Sequence, residues 1–294
     1  MSLNQKLKSE LSDALQKHIG SPAPISSVQS VGGGSINDAY RIAAGGQLFF
    51  VKVNAANRYP QMLAKEAKGL RFIAENSHFK VPKVFEVGRT GDLQFIAMEF
   101  IQSTAEAPDY WEQFGAELAR MHRYSADHFG LDYDNYMGSM VQLNKRSEKW
   151  ADFFVEQRLL PQIKAARDAG KADQAMVRGF DLLFSRAENL FPVEPPAAVH
   201  GDLWSGNFMT GADGHATIFD PAVYFGHREV DIAMTRLFGG FDSGFYRGYL
   251  AEYPLESGWE ERVDIANLYP LMVHVNLFGG GYAAQVKSVL ARFH

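Results

Sequence analysis

The stretch His200-Gly201-Asp202-Leu203-Trp204-Ser205-Gly206-Asn207-Phe208-Met209 crowds an imidazole, a carboxylate, an indole and an amide into ten residues, directly behind the apolar run Ala197-Ala198-Val199. The apolar run reads as a short buried strand, and a strand of that kind ordinarily ends in a plain turn. This one ends in Asp202, with Asn207 five places on. Asp202 therefore stands on a loop anchored by rigid structure, a common position for catalytic groups. Asn207 opens the next strand. Beyond Phe208-Met209 the turn Gly211-Ala212-Asp213-Gly214 reverses the chain, and Ala216-Thr217-Ile218-Phe219 returns, so that the hairpin carries Asp220 back toward the level of Asn207. An amide oxygen beside a carboxylate is a hard oxygen site suited to Mg²⁺. That leaves Asp202 to orient and deprotonate an attacking hydroxyl. Taken singly, Asp202 and Asp220 read as turn residues capping backbone N–H groups; taken with Asn207 and the hairpin, they point to phosphoryl transfer.

A second set of residues lies far upstream. In Leu48-Phe49-Phe50-Val51-Lys52-Val53 the strand alternation puts Lys52 on the face of Leu48 and Phe50. An ammonium there is costly unless it meets an anion. Glu66 falls four residues after Met62 and four before Leu70, in register with an apolar helical stripe, and its carboxylate also needs a partner. Pairing the two satisfies both and aims the ammonium at nucleotide phosphates. The bland reading of a strand lysine is that it snorkels to solvent, and two complementary misfits on adjacent elements weigh against it. Gly32-Gly33-Gly34-Ser35-Ile36-Asn37 precedes that strand. Consecutive glycines let backbone N–H groups approach phosphate oxygens, although a plain hairpin turn reads equally well.

Bulk properties narrow the function classes. The chain has 294 residues, 46% hydrophobic and 21% charged, with a formal net charge of -5. That balance is ordinary for a soluble globular protein, and no global basic field invites nucleic acid. Cysteine is absent, which excludes disulfides, thiolate metal sites and cysteine nucleophiles and fits a reducing cytoplasm. No apolar run approaches the roughly 20 residues of a membrane helix, and the N-terminus lacks a secretory layout. Leu3, Leu7, Leu11 and Leu15 recur every fourth residue and predict an amphipathic helix packed on the body. The expectation is a cytoplasmic protein without a membrane or nucleic-acid partner; no oligomeric state is read from the sequence.

The chain divides in character. Residues 27–53 read as antiparallel strands around glycine turns, Pro60 to Asn76 as a helix, and 84–87 and 93–100 as two further strands. From Ala107 the pattern turns helical, with helices over 110–122, 149–169 and 178–187, and again from Val230 onward. This predicts an α+β arrangement of two lobes, a nucleotide-binding lobe over residues 1–101 with its leading helix and a helical catalytic and substrate lobe over 102–294, joined near Glu99 to Ser103.

These blocks resemble the protein-kinase-like superfamily and, within it, the fructosamine kinase (ketosamine-3-kinase) family. The likeness runs through residues 32–37, Phe50-Val51-Lys52-Val53-Asn54, residues 200–207, Phe219-Asp220-Pro221-Ala222, and the downstream blocks 226–234, 237–241 and 268–282. The spacing of Asp202 and Asn207 belongs to the whole superfamily, whereas the Trp204 context and the C-terminal blocks are more specific. The resemblance implies a bilobal protein-kinase-like fold, with ATP bound between the lobes and its γ-phosphate passed to a sugar hydroxyl of a ketoamine, free or protein-bound. Phosphorylation then makes that glycation adduct labile. Carried across by motif, Asp202 is the proton acceptor and Asn207 and Asp220 hold Mg²⁺. Lys52, positioned by Glu66, contacts phosphates, as does the segment Gly33-Gly34-Ser35. Glu99-Phe100-Ile101 forms the hinge that grips adenine.

Trp204 either stacks on a sugar ring or fills the core. His200 is expected to fix the loop, Asp231 to cap or anchor one, and His274 and Asn276 to pack. Departures from the protein-kinase pattern matter. Gly201 replaces the arginine that reads activation-loop phosphate, Pro221-Ala222 replaces Phe-Gly, and no Ala-Pro-Glu block follows, so no phosphorylation-controlled activation loop is expected. Ser35 stands where some animal relatives carry a cysteine, which removes thiol-based control. Two rival readings remain at this level: a kinase of aminoglycosides or choline-like alcohols, and a catalytically silent nucleotide-binding protein.

Overall fold

The computed structural model describes residues 3–32 and 36–293. The chain runs through α1 (Gln5–Ile19), β1 (Ile25–Val31), β2 (Asp38–Ala44), β3 (Gln47–Ala55), α2 (Met62–Asn76), β4 (Val84–Thr90), β5 (Leu93–Glu99) and α3 (Tyr110–His122). The hairpin β6 (Asn135–Met137) and β7 (Met140–Gln142) follows, then α4 (Trp150–Phe153), a π-helical turn (Phe154–Leu159), α5 (Leu160–Asp168) and α6 (Gln174–Phe184). After β8 (Ala197–Val199), β9 (Phe208–Thr210), β10 (Ala216–Ile218) and β11 (Tyr224–Gly226) come α7 (Glu229–Leu237), α8 (Ser243–Glu252), α9 (Trp259–Ala266), α10 (Leu268–Phe278) and α11 (Gly281–Leu290). This is the expected α+β class, and it separates into two compact units.

The first unit takes in residues 1–75, 79–108 and 209–220. Its antiparallel sheet has the order β1-β2-β3-β5-β4. Alternation along β3 and β5 gives each face its own helix. Phe49, Val51, Phe95 and Ala97 pack with Leu7, Leu11 and Leu15 of α1, while Ile96 and Met98 pack with Leu63, Ala67 and Leu70 of α2. Burying each of those α1 leucines contributes roughly 1.5–3 kcal/mol. Asn4 caps the helix by accepting from Leu7 N at 2.8 Å, and Gly20 ends it in the left-handed conformation at φ 76°. The hairpin β9–β10 joins this unit through its neighbours: Ile218 N donates to Lys80 O at 3.1 Å, and Thr104 Oγ1 donates to Gly211 O at 2.9 Å.

The second unit, residues 76–78, 109–208 and 221–294, is mostly helical. Helices α3 and α8 approach so closely that a β-carbon at Gly115 would lie 1.9 Å from Phe245 O, and one at Gly248 would lie 2.0 Å from Glu112 O. Only glycine permits that contact. Phe153, Phe154 and Leu159 share a core with α10 and α11 through Met272, Val275 and Val286. Strands β8 and β11 pair antiparallel, Val199 opposite Tyr224.

Three local features differ from the sequence expectation. The helix over 149–169 is interrupted by the π-helical turn, because Pro161 brings no N–H to the carbonyl of Gln157 and Arg158 Nη1 reaches that carbonyl instead, at 3.2 Å. The helix expected at 178–187 starts earlier, where Asp173 caps it by accepting from Met176 N at 2.9 Å. The short hairpin β6–β7 interrupts a region expected to be helical. Among the described residues no helix is long and apolar enough to cross a membrane.

Candidate active site

In the first unit, β3 carries Lys52 and α2 carries Glu66 onto the same face of the sheet, with Lys52 opposite Ile96 of β5. The ammonium lies 2.8 Å from Glu66 Oε1 and also contacts Asp220 Oδ1. Side-chain exposure is 8% for Lys52 and 11% for Glu66 but 40% for Asp220, so the pair is structural while the third member faces outward. Burial alone would lower the lysine pKa; the charges of Asp220 and Glu66, and their hydrogen bonds, outweigh it and raise the group above the usual lysine range. Glu66 is pushed upward, by burial first and by the charge of Asp220, against the opposing pull of Lys52. Asp220 holds a φ of 55°. The left-handed region is unusual for a side-chain-bearing residue, and Asp and Asn tolerate it best.

The expected hinge residues lie at and beyond the end of β5. Glu99 N donates to Lys83 O at 2.9 Å, and the Glu99 carboxylate accepts from Lys83 N at 3.3 Å. The Glu99 N–H is therefore already committed to Lys83 O. The Arg41 guanidinium sits 5.2 Å from the Phe100 ring centre. Glu99, Phe100 and Ile101 also border a cavity of about 560 Å³ shared with Phe79, Lys80 and Val81. Gly33, Gly34 and Ser35 lie outside the described residues. Their flanks pair as an antiparallel hairpin, Val31 opposite Ala39, and Asn37 Oδ1 accepts from Asn54 Nδ2 at 2.7 Å.

In the second unit the loop after β8 is tied from several directions. Asn207 Nδ2 donates to the Asp202 backbone oxygen at 2.7 Å and to its Oδ2 at 3.1 Å. Both amide hydrogens are thus spent on Asp202, which leaves the amide oxygen as the group to offer a metal. Buried His200 accepts from Asp202 N at 3.3 Å through Nδ1. Below the loop, fully buried Asp231 on α7 accepts from His200 N at 2.7 Å and Gly201 N at 2.9 Å. His122 Nε2 lies 3.1 Å from the same carboxylate, and His122 Nδ1 lies 2.7 Å from Tyr249 Oη. Of the two roles the sequence allows Asp231, anchor or cap, the structure gives it the loop anchor.

Trp204 is half-buried, 5.7 Å edge-on from the partly exposed Phe238, and Gly206 gives its ring room. His274 donates through Nδ1 to Pro270 O at 2.7 Å, and Asn276 donates to Gln162 O and Oε1 at 3.0 and 2.8 Å. Both hold the helical core together. Among the described residues no group of three or more His, Cys, Asp or Glu forms a metal cage. The amide oxygen of Asn207 and the partly exposed carboxylate of Asp220 are each hard oxygen donors of the kind Mg²⁺ takes.

The family model described as fructosamine kinase matches residues 7–294. The chain belongs to the fructosamine kinase family. A protein of Synechocystis sp. named a probable ketoamine kinase is 39% identical over 285 residues, covering 95% of this chain and 94% of that one. An Arabidopsis thaliana chloroplastic protein named protein-ribulosamine 3-kinase is 37% identical over 278 residues, covering 92% and 83%. A solved structure from Haemophilus somnus 129PT, named for fructosamine-3-kinase, superposes with a TM-score of 0.86 at 28% identity and covers 96% of each chain. The family's kinase-like fold is thus the fold of this chain, and ATP is the phosphoryl donor its kinases imply.

Three of the contacts described above are not foreseen by the sequence: the Lys52–Asp220 ion pair, the double hold of Asn207 on Asp202, and the His122–Asp231 pair. Their partners are 168, 5 and 109 residues apart. Only the second lies within reach of a local motif.

Proposed function

We propose that this chain transfers the γ-phosphoryl group of ATP to a sugar hydroxyl of a ketoamine, fructosyl or ribulosyl, and so begins removal of a glycation adduct. The reading is carried by one observation above the rest: a buried Lys52 ammonium is braced by Glu66 and touches the carboxylate of Asp220. A lysine held in this way is a rigid positive charge for nucleotide phosphates, and phosphoryl transfer depends on such positioning and charge stabilisation.

The remaining roles follow from the loop. Asp202 takes the proton of the attacking hydroxyl, with its carboxylate oriented by Asn207 Nδ2. Asn207 and Asp220 supply oxygen ligands to Mg²⁺, which when bound neutralises charge on the phosphate oxygens. Gly33, Gly34 and Ser35 cover the phosphates, Glu99, Phe100 and Ile101 meet the adenine, and Trp204 lies against the sugar. A cytoplasmic setting fits a chain that contains no cysteine.

Incubation with Mg·ATP and either a fructosyl- or a ribulosyl-amine, followed by mass spectrometry of the product, tests the reading. The expected product carries one phosphoryl group on the ketoamine sugar. Phosphorylation of an aminoglycoside or a choline-like alcohol, with both ketoamines untouched, would transfer the assignment to that acceptor class. Thermal stabilisation by Mg·ATP without turnover on any acceptor would mark a silent nucleotide-binding protein.

A further inference from the structure

Near its C-terminal end α10 carries an imidazole set among aromatic rings. His274 spends its Nδ1–H on the Pro270 carbonyl at 2.7 Å, which leaves Nε2 of the neutral ring as an acceptor. Among the described residues that nitrogen meets no donor. Three rings stand around the imidazole: Tyr282 at 4.8 Å between ring centres, Phe238 at 5.3 Å and Phe278 at 5.6 Å. Gly279 and Gly280, each at φ 66°, turn the chain between α10 and α11 and bring Tyr282 back against His274. Left-handed backbone of that kind favours glycine.

These rings are not a sealed core. Phe278 is 59% exposed and Phe238 40%, whereas Leu271, Met272, Val273 and Val275 of the same helix are buried. An exposed phenylalanine forgoes the burial that stabilises a core. Two of them beside an imidazole with an unused acceptor make a surface that a ligand can complete. The patch also continues into the loop that carries Asp202. Phe238 stands 5.7 Å edge-on from Trp204, and Trp204 N donates to the Asp202 carbonyl at 3.2 Å. A molecule that offers a hydroxyl to Asp202 and lies against Trp204 meets Phe238 and His274 next.

The chemistry of a ketoamine says which part of it arrives there. The carbon beside its carbonyl bears a secondary amine, positively charged when protonated, with an organic substituent on the far side. Aromatic faces attract such a cation through their quadrupole. An imidazole nitrogen with a free lone pair accepts its N–H, and exposed phenyl rings cover the apolar part of the substituent. The sugar alone supplies neither the cation nor the apolar tail. We infer that His274, Phe238, Phe278 and Tyr282 form the amine subsite of the ketoamine: His274 Nε2 accepts from the ammonium, and the three rings hold that charge and the apolar substituent beyond it.

This subsite deepens the ketoamine reading and rests on it, and the experiment keeps the two apart. Binding of fructosyl-benzylamine and of fructosyl-glycine is measured by calorimetry on the full-length protein, without nucleotide and again with Mg·ADP, beside turnover with Mg·ATP. The parent should bind the benzyl compound at least about tenfold more tightly, because glycine turns a carboxylate toward the rings where benzylamine turns a phenyl. Phe278→Ala should cut that ratio to below about threefold. His274→Phe keeps a ring but removes the acceptor and should weaken both ketoamines by about tenfold, the scale of a hydrogen bond to a charged group. His274→Gln returns an acceptor and should recover part of that loss. Phe278, the most exposed of the four, carries the test if a His274 variant fails to fold. Folded Phe278→Ala and His274→Phe proteins that bind both ketoamines as the parent does, where the parent phosphorylates them, would overturn the amine subsite and leave the ketoamine reading standing. Unchanged ketoamine binding with loss of self-association in Phe278→Ala would overturn it too and mark the patch as a contact between copies of this chain. A parent that neither binds nor phosphorylates either compound would overturn both.

Discussion

Gly201 and Ala222 meet with no room to spare: a β-carbon on Gly201 would lie 2.2 Å from the Ala222 carbonyl oxygen, and Gly201 holds a φ of 81°. The residue before Asp202 is glycine because the backbone beyond Asp220 occupies the space a side chain needs. This gives a physical reason for the absence of the arginine that regulated protein kinases carry at this point. It also links the loop that carries Asp202 to the segment around Ala222 by close packing as well as by the Ala222 N–His200 O hydrogen bond.

Gly201→Ala should therefore cost more than the left-handed backbone penalty of about 1–2 kcal/mol, since the clash is with backbone and cannot be relieved by a rotamer. Urea unfolding at neutral pH gives the stability, and turnover should fall with it as Ala222 is displaced. A variant as stable and as active as the parent would mean that the two segments move apart freely.

Asp202→Asn should abolish phosphoryl transfer while leaving Mg·ATP affinity largely intact, because the role proposed for the carboxylate is on the acceptor hydroxyl and not on the nucleotide. Removing a positioned general base typically costs about 10²- to 10⁴-fold. The amide still offers an oxygen to Asn207 Nδ2, so the loop geometry seen at 3.1 Å is preserved and the loss is chemical. Calorimetric nucleotide titration beside turnover separates the outcomes; a parallel loss of binding and rate in a folded protein argues against the assignment.

Lys52 and Glu66 give a prediction with a sign. The folded-state pKa of Glu66 is raised above its ordinary 4.5, with burial as the main cause. A raised carboxylate contributes stability that is fully present below 4.5 and lost as pH rises through the folded-state value. Wild-type stability should therefore decline across the range from pH 4.5 to neutrality more steeply than that of Glu66→Gln, whose side chain does not titrate. Lys52, raised above the lysine range, adds no slope there. Lys52→Met should mainly damage phosphate positioning, with a rise in KM for ATP and a fall in kcat. Equal pH slopes for Glu66→Gln and the parent would show that the carboxyl is solvated.

Much of this is legible in the chain, and the rest is hidden for identifiable reasons. The leucines at 7, 11 and 15 mark α1 because periodicity is a local property. Lys52 and Glu66 announce themselves as polar residues on apolar faces, so burial compels a partner. Asn135, Gln142, Asn144 and Arg158 do not stand out in this way. Amides in a short hairpin look like turn chemistry, and Arg158 sits in a stretch that reads as one continuous helix until Pro161 breaks the ladder. The partners of Gln142 and Asn135 include the carbonyls of Ala222 and Val223, some 80 residues on, and a carbonyl carries no signature in a sequence. Asp231 shows the intermediate case: its acidity near a helix start is visible, but not the two N–H groups it serves.

His227 supplies the clearest acid-side test. It is fully buried, and its contacts keep it neutral: Nε2–H donates to Pro192 O at 3.2 Å, and Nδ1 accepts from Glu229 N at 3.3 Å. Protonation would place a hydrogen on the nitrogen that already accepts one. Burial drives its pKa from 6.5 down to about 4, against a weaker opposing pull from Glu194. A depressed histidine contributes stability that is present above the unfolded value near 6.5 and lost as pH falls toward the folded value. A tenfold change in a protonation equilibrium corresponds to about 1.4 kcal/mol, so roughly 3 kcal/mol is at stake between those limits. Urea unfolding at pH 7.5 and pH 5 should show the wild type losing stability on acidification relative to His227→Gln, which has no proton to gain. The loss should be roughly linear in pH below 6.5. If the two proteins lose the same amount between those pH values, His227 is not the group that resists charging, and the acid sensitivity belongs to another titrating group.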